Sequence, residues 1–182
     1  MNSIAQEYLN TTIKRLKFYK DLGDRAFVNL DTESFHYQPN EVSNSIAIII
    51  KHLSGNMLSR WTNFLTEDGE KEWRDRDGEF ECKNLKKDEI LKMWQDGWAC
   101  FLDALENLTE EDLLKTVYIR KEGLSVIDAI NRQLSHYPYH IGQIVYIAKL
   151  IQDKNWKSLS IAKGESQIYN SGDGVKDPAK KF

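Results

Sequence analysis

The sequence lacks several features that would each assign it to a particular class of protein. It has only two cysteines, Cys82 and Cys100, which are too few for a disulfide framework and lack CxxC spacing. Its net charge of −3 argues against binding to nucleic acid, which normally requires a basic excess or stripe. No apolar run reaches the roughly 18 residues that are needed to cross a bilayer. Residues 1–7 contain no basic segment that leads into an apolar core, so we expect no secretory signal, a cytoplasmic location and free thiols.

What the sequence does contain is typical of a soluble globular protein. Hydrophobic residues make up 41% of the chain and charged residues 29%. A chain of 182 residues is long enough to bury a core of its own and is most simply one domain. We place this single domain at residues 1–170. The last residues, 171–182, are rich in glycine, lysine and aspartate, and we expect them to form a flexible tail.

Four stretches repeat apolar residues every three or four positions, which predicts amphipathic helices. They run from about Ile4 to Leu30, from Ser45 to Leu65, from Asp88 to Leu108 and from Ser125 to Ile151. Four helices of this length predict an all-α protein and, more specifically, a four-helix bundle. The first connection, residues 31–44, is long, so the pattern leaves open both a simple up-and-down order and a crossover order.

Two connections between the helices are expected to be structured. Residues 66–84 are dense in charge, and we expect Trp73 and Phe80 to anchor them by apolar packing. Residues 116–124 alternate around buried positions at Val117 and Ile119 and then reach Glu122-Gly123, which predicts a short hairpin with its turn at that dipeptide.

The most informative feature is a set of three histidines. His136 and His140 stand four residues apart on the fourth predicted helix, so both imidazoles lie on one face, with Cβ atoms roughly 5–6 Å apart. His52 lies on the second predicted helix. If the two helices pack together, three neutral nitrogens converge on one cation. Three protein ligands leave one coordination position open, which is typical of a catalytic rather than a structural zinc-type site.

The HxxxH spacing alone also has a simpler interpretation, since helical histidines usually lie at the surface or at the rim of an apolar face. The metal interpretation is favoured because the pair lies beside the apolar face, where unpaired imidazoles are costly to bury. His36 falls in a connection and is interpreted as a solvated side chain. Tyr137 stands where zincins carry a glutamate base, so no catalytic residue is identified.

Two polar residues follow the histidine of the second helix at four-residue intervals, and we predict that both line a substrate pocket. Asn56 could hydrogen-bond a ligand histidine or satisfy the backbone. Arg60, together with Arg74 and Arg76, could bind an anionic substrate, because guanidinium groups match carboxylates. The alternative is that the charge run at 67–79 is a solvated loop with internal ion pairs.

The chain resembles the DinB/YfiT-like superfamily of metal-dependent enzymes, and more closely an uncharacterised branch of it. The stretches that carry the resemblance are residues 44–61, 68–80, 133–144 and 156–164, including the segments NSIAIIIKHLSGNMLSRW and QLSHYPYHIGQI. The resemblance implies a four-helix bundle with up-down-down-up connectivity, often a homodimer. It also implies a divalent ion, nickel or zinc, held by three histidines, which correspond to His52, His136 and His140.

The resemblance further implies an activity of the kind found in characterised relatives, which include thiol transferases that use bacillithiol or similar small thiols. Our first hypothesis is therefore a metal-dependent enzyme that transfers a low-molecular-weight thiol to an electrophile or, second, hydrolyses a small substrate. The alternative hypothesis is a non-catalytic dimeric helical bundle that binds a small molecule or a partner, with the metal absent or structural.

Overall fold

The computed structural model describes residues 3–82, 84–174 and 176–182. The fold is mostly helical, which confirms the predicted all-α class. Within these ranges the chain forms six helices: α1 (Ile4–Ala26), α2 (Thr32–His36), α3 (Ile46–Trp61), α4 (Lys87–Glu106), α5 (Val126–Gln152) and α6 (Ser166–Ser171). Two short strands, β1 (Thr116–Ile119) and β2 (Glu122–Ser125), pair antiparallel between α4 and α5. Single turns of 3-10 helix lie at Gly78–Phe80, Glu110–Asp112, Asp153–Asn155 and Pro178–Lys181.

Serine side chains cap three of the four long helices. Ser3, Ser45 and Ser125 each accept a hydrogen bond from a backbone N–H in the first turn of α1, α3 and α5 respectively. The predicted ends at Leu30 and Leu65 are wrong, because α1 ends at Ala26 and α3 at Trp61. Phe27, Leu30 and Phe64 are buried in the turns that follow these helices. The repeat of apolar residues therefore continues past the C-terminal ends of α1 and α3.

The four long helices share one apolar core. Helix α3 packs closely along α4, while α1 contacts both α4 and α5. Two glycines allow neighbouring helices to pack closely against each other. A Cβ atom at Gly97 would lie 2.9 Å from the Cα atom of Ser54, and a Cβ atom at Gly23 would lie 2.6 Å from the indole of Trp94. The indole N–H of Trp94 donates to Asp24 Oδ1 at 2.7 Å, which ties α4 to α1.

The predicted hairpin is present, but its turn lies two residues earlier than predicted. Ile119 pairs with Glu122, so Arg120 and Lys121 form the turn. Both have positive φ angles, 55° and 66°, which residues other than glycine rarely adopt. The carboxylate of Asp68 accepts the N–H of Arg120 at 2.9 Å and that of Lys121 at 2.8 Å. These two hydrogen bonds stabilise a turn that the sequence does not signal by glycine or asparagine.

The charged segment between α3 and α4 is held by polar contacts. The prediction that Trp73 and Phe80 anchor it by burial is wrong, since both side chains are more than half exposed. Arg76 instead contacts Glu70 through two nitrogens, at 2.8 and 2.7 Å. Arginine–carboxylate pairs with two parallel hydrogen bonds have a defined geometry, and they order this segment where apolar packing does not.

The C-terminal segment lies against α1. The guanidinium of Arg15 donates to Asp177 at 2.8 Å, Lys181 pairs with Asp21 at 3.1 Å, and Ala179 is fully buried. The division into a domain at 1–170 and a flexible tail at 171–182 stays a prediction, and residues 1, 2, 83 and 175 of those ranges lie outside the described part of the chain. Within the described part, no helix carries an apolar stretch long enough to cross a membrane.

Candidate metal centre

The structure brings the three predicted histidines together. Helix α3 carries His52, and α5 carries His136 and His140 one turn apart. The Nε2 atom of His136 lies 3.3 Å from Nε2 of His52 and 3.1 Å from Nε2 of His140. One ligand atom from each residue lies within 4.8 Å of the other two. We call these three side chains the histidine centre.

The second ring nitrogen of each histidine, Nδ1, faces an oxygen acceptor outside the centre. His52 faces Glu79 Oε2 at 2.9 Å, His136 faces Gln133 Oε1 at 3.4 Å, and His140 faces Gln143 Oε1 at 2.7 Å. Carboxylate and amide oxygens only accept hydrogen bonds, so each Nδ1 carries the proton and donates it. In a neutral imidazole the lone pair is then left on Nε2. The three inward-facing nitrogens are therefore all acceptors.

This donor set fits a divalent cation. Metal–nitrogen distances of about 2.0–2.1 Å and angles between about 90° and 110° place two ligand nitrogens about 2.9–3.4 Å apart. The measured separations of 3.1 and 3.3 Å fall within that range. Three lone pairs that face one another without a hydrogen between them repel, and a shared cation removes that repulsion. The three histidines can thus hold a metal ion.

Burial lowers the pKa of both histidines on α5. Burial, together with the neighbouring His140 and His52, lowers the pKa of His136 from 6.5 to about 4. Burial likewise lowers the pKa of His140, although the hydrogen bond to Gln143 acts in the opposite direction. At neutral pH these two rings therefore offer lone pairs without first losing a proton.

Glu79 is itself fixed by a buried arginine. Arg74 donates through Nε to Glu79 Oε1 at 2.7 Å and through Nη2 to Oε2 at 3.1 Å. Their side chains are 1% and 6% exposed. Burial alone would raise the pKa of Glu79, but the hydrogen bonds from His52 and Arg74 bring it below its usual value. The carboxylate is thus held ionised behind His52, an arrangement that orients ligand imidazoles in metalloproteins.

Helix α3 makes room for this carboxylate with a glycine. Gly55 lies one turn after His52, and a Cβ atom there would lie 3.0 Å from Cδ of Glu79 and closer still to its Oε1. Any side chain at this position would push the carboxylate away from the imidazole. The glycine is therefore required by the close approach of Glu79 to the helix.

The two predicted pocket residues are buried, and the side-chain hydrogen bonds of both go to residues other than the histidines. Asn56 accepts a hydrogen bond from the hydroxyl of Tyr137 at 3.0 Å. Arg60 lies about 12 Å beyond His52 along the helix axis, where it donates to the carbonyl of Gly69 at 2.6 Å and contacts Glu70 at 3.3 Å. Their predicted role in a substrate pocket stays a prediction. The sequence also suggests Arg74 as an anion binder beside Arg60, but in the structure its guanidinium is paired with Glu79.

His36 differs from its sequence interpretation. It ends α2 instead of lying in an irregular loop, it is half-buried, and its Nε2 lies 2.8 Å from the carbonyl of Leu85. It takes no part in the histidine centre. The remaining histidine thus has a structural contact, and the solvated interpretation is wrong.

Sequence reasoning missed the three residues that face the Nδ1 atoms. A signal existed for two of them, because Gln133 precedes His136 by three residues and Gln143 follows His140 by three, a spacing that puts each pair on one helix face. Glu79 had no comparable signal. It lies 27 residues from His52, inside a run of charges that reads as solvated loop.

Comparison with known proteins gives a family but no activity. The model of a family described as "Protein of unknown function (DUF1572)" matches residues 3–165, which is most of the chain. No curated protein and no solved structure matches the sequence. The function therefore has to be inferred from the histidine centre itself.

Proposed function

We propose that this chain, which belongs to that family of proteins of unknown function, is an enzyme that depends on a divalent metal held by His52, His136 and His140. One observation carries the proposal: Nε2 of His136 lies 3.1 Å from Nε2 of His140 and 3.3 Å from Nε2 of His52, while every Nδ1 faces an oxygen acceptor. A centre that served only packing would leave some of these nitrogens as donors to one another.

The ligand set also favours a catalytic over a structural ion. No cysteine, aspartate or glutamate of the described residues joins the three histidines as a fourth ligand, and three protein ligands leave a position open. An ion bound there lowers the pKa of a coordinated water or thiol and so supplies a nucleophile near neutral pH. Glu79 faces Nδ1 of His52 and so lies behind a ligand ring. It positions that ring and is not a general base at the open side.

Since no carboxylate of the described residues joins the three histidines, we favour reactions in which coordination itself would deprotonate the nucleophile. Transfer of a small thiol to an electrophile is our first candidate reaction, and hydrolysis of a small substrate is the second. Both agree with the resemblance to the DinB/YfiT-like superfamily. On the same resemblance we propose nickel or zinc as the ion, an up-down-down-up bundle formed by the four long helices, and a homodimer.

The first test is metal content. The full chain is purified without added chelator, and bound metals are measured by elemental analysis and by titration of the metal-free protein with Ni²⁺ and Zn²⁺. We expect one tightly bound ion per chain in the wild type and in His36→Gln, which changes the histidine outside the centre. His136→Ala should lose most of the ion. Unchanged occupancy in His136→Ala would contradict the proposal.

The second test separates an enzyme from a binding protein. Metal-loaded and metal-free protein are incubated with cysteine or another small thiol and an activated aryl halide, and with a panel of esters and amides. Turnover that needs the metal and disappears in His136→Ala supports the enzyme. A bound ion without turnover on any substrate would favour the alternative, a helical protein that binds a small molecule or a partner around a structural metal.

A further inference from the structure

A cavity of about 630 Å³ opens between α2, the start of α3 and the segment that precedes α4. Its volume falls within the range of about 300–1,000 Å³ that is usual for small-molecule sites. Ile48, Phe80 and Leu85 supply apolar walls. Two lining residues, His36 and Leu85, are in contact through Nε2 and a carbonyl at 2.8 Å, which joins α2 to the segment before α4.

The cavity adjoins the histidine centre through two of its walls. Ile48 lies one helical turn before His52 on α3. The ring of Phe80 stacks against the imidazole of His52, with 5.9 Å between centroids and 27° between planes. Phe80 is half exposed, so its other side is available to a ligand. A molecule in the cavity would thus lie against the same phenyl ring that covers a proposed metal ligand.

The position of Phe80 is set by helix α3. Lys51, the residue next to His52, donates from Nζ to the carbonyl of Gly78 at 2.6 Å and to that of Glu81 at 3.0 Å. Glu79 holds the imidazole of His52 from the same turn. The residues on both sides of Phe80 are therefore tied to α3, so polar contacts as well as stacking hold this ring beside both the cavity and His52.

A second cavity, of about 480 Å³, lies on the other side of residues 39–44 and is a poorer candidate. It reaches the histidine centre only through Gln143, which faces Nδ1 of His140. That nitrogen points away from the centre, so a ligand there would lie behind the ring. The cavity at Phe80 instead reaches His52 through a ring that stacks on the face of its imidazole.

The lining indicates which kind of molecule fits. Among the described lining residues, Glu33 and Lys86 supply one negative and one positive side chain, and both are exposed, so these charges balance. The apolar part of the lining comes from Ile48, Phe80 and Leu85. We infer that this cavity binds the organic part of the substrate, an uncharged and largely apolar body, while a donor group on the same molecule reaches the open side of the histidine centre. This inference rests on the proposed metal-dependent function.

Hydroxamates test the inference because they join a metal-binding head to a tail of choice. Binding of acetohydroxamate and of 4-phenylbutyrohydroxamate to the zinc-loaded full chain is measured by calorimetry. The longer ligand should bind at least about tenfold more tightly, as burial of a phenyl group predicts. Ile48→Trp fills the cavity and should abolish that gain without changing the affinity for acetohydroxamate.

Two further variants make the test robust. Leu85→Trp narrows the same cavity from the opposite wall and gives an independent measurement if Ile48→Trp fails to fold. Val28→Trp adds the same side chain at an exposed position outside the cavity and should leave the gain intact. Zinc content is measured for every variant, so that loss of the ion is not mistaken for loss of the cavity.

The outcomes separate the two proposals. Failure of both hydroxamates to bind the zinc-loaded wild type would overturn the open metal site and, with it, this inference. Equal affinity for the two ligands, or a gain that survives in both Ile48→Trp and Leu85→Trp, would overturn the cavity alone. Tighter binding of the longer hydroxamate that is lost only in Ile48→Trp and Leu85→Trp supports the inference about the cavity.

Discussion

Two polar clusters join α3 to α5 about one helical turn apart, and they use their hydrogen-bonding groups differently. In the first, which we call the closed cluster, the Tyr137 hydroxyl donates to Asn56 Oδ1 at 3.0 Å and accepts from Trp61 Nε1 at 3.2 Å. Tyr137 is fully buried. In the second, the histidine centre, the inward-facing atoms are all acceptors, and no donor of the described residues lies among them.

The difference separates a structural polar cluster from a binding one. Burial of polar groups costs little when each donor meets an acceptor, and such clusters specify how helices pack. Three facing acceptors cannot satisfy one another, so their burial is stabilising only when something positive joins them. Under the proposed function, residues of similar polarity on the same pair of helices have opposite roles. Four changes would break or sharpen this contrast.

The largest effect is expected behind the histidine centre, at the buried ion pair. Glu79→Gln leaves the guanidinium of Arg74 without its counter-charge, which typically costs about 3–5 kcal/mol. The free energy of unfolding, measured by urea denaturation, should fall by about that amount. The same change at the exposed Glu81 is the control and should have little effect. A loss below about 1 kcal/mol for Glu79→Gln would show that the pair is not buried as described.

Removal of a proposed ligand should affect metal affinity and leave the fold largely intact. His140→Ala should weaken zinc binding by more than the roughly 10–100-fold that is usual for loss of an outer hydrogen-bond partner. The metal-free variant should unfold within about 1 kcal/mol of the metal-free wild type, because the lost Nε2 had no donor facing it and the partner of Nδ1, Gln143, is partly exposed and can bind water. Calorimetric titration measures the zinc affinity, and thermal unfolding measures the stability of the metal-free protein. A large loss of stability with intact affinity would reverse the roles of the two clusters.

The closed cluster should show the opposite pattern. Tyr137→Phe leaves Asn56 Oδ1 and Trp61 Nε1 buried without a partner, and we expect it to lower the free energy of unfolding by about 1–3 kcal/mol. Zinc affinity should change less than about threefold, or about 0.7 kcal/mol. Tyr139→Phe, an exposed tyrosine two residues away on the same helix, is the matched control. Weak metal binding in Tyr137→Phe would mean that the two clusters act as one.

The smallest effect concerns pH. The pKa of His136 is 6.5 without the fold and about 4 within it, because of burial and the neighbouring histidines. Between these values the unfolded chain binds more protons than the folded chain, so the metal-free protein should lose stability as pH falls from 6.5 to 4. We expect the melting temperature to drop by roughly a few degrees. His136→Gln should show a shallower slope, and an equal slope would contradict the assignment.

The bound form should show a steeper dependence on pH than the metal-free form. Protons compete with the ion for the Nε2 lone pairs, so zinc should dissociate as the histidines become charged. The closed cluster adds nothing to this slope, because burial raises the pKa of Tyr137 and keeps its hydroxyl protonated. Melting curves recorded with and without zinc across the same pH range compare the pH dependence of the metal-bound and metal-free forms directly.

The sequence by itself determined the four long helices and the three candidate ligands. Apolar periodicity is a local signal, so it placed the starts of α1, α3 and α5 at or next to the observed residues, whereas the short helices α2 and α6 were not predicted. The spacing of His136 and His140 is a property of one helix and needs no tertiary information. Those signals fail at helix ends, where Phe27 and Phe64 continue the apolar pattern into turns that are buried for other reasons.

Only the tertiary structure decided what surrounds the ligands. Glu79 reaches His52 across 27 residues because Arg74 pairs with it and Gly55 leaves it space. Ion pairs carry no periodic signature, so a charge run that forms a buried support and one that is solvated look alike in sequence. The same holds for Asn56, which shares a helix face with His52 yet pairs with Tyr137. Helix faces follow from the order of residues along the chain, whereas the partner of each polar group follows from the path of the loops.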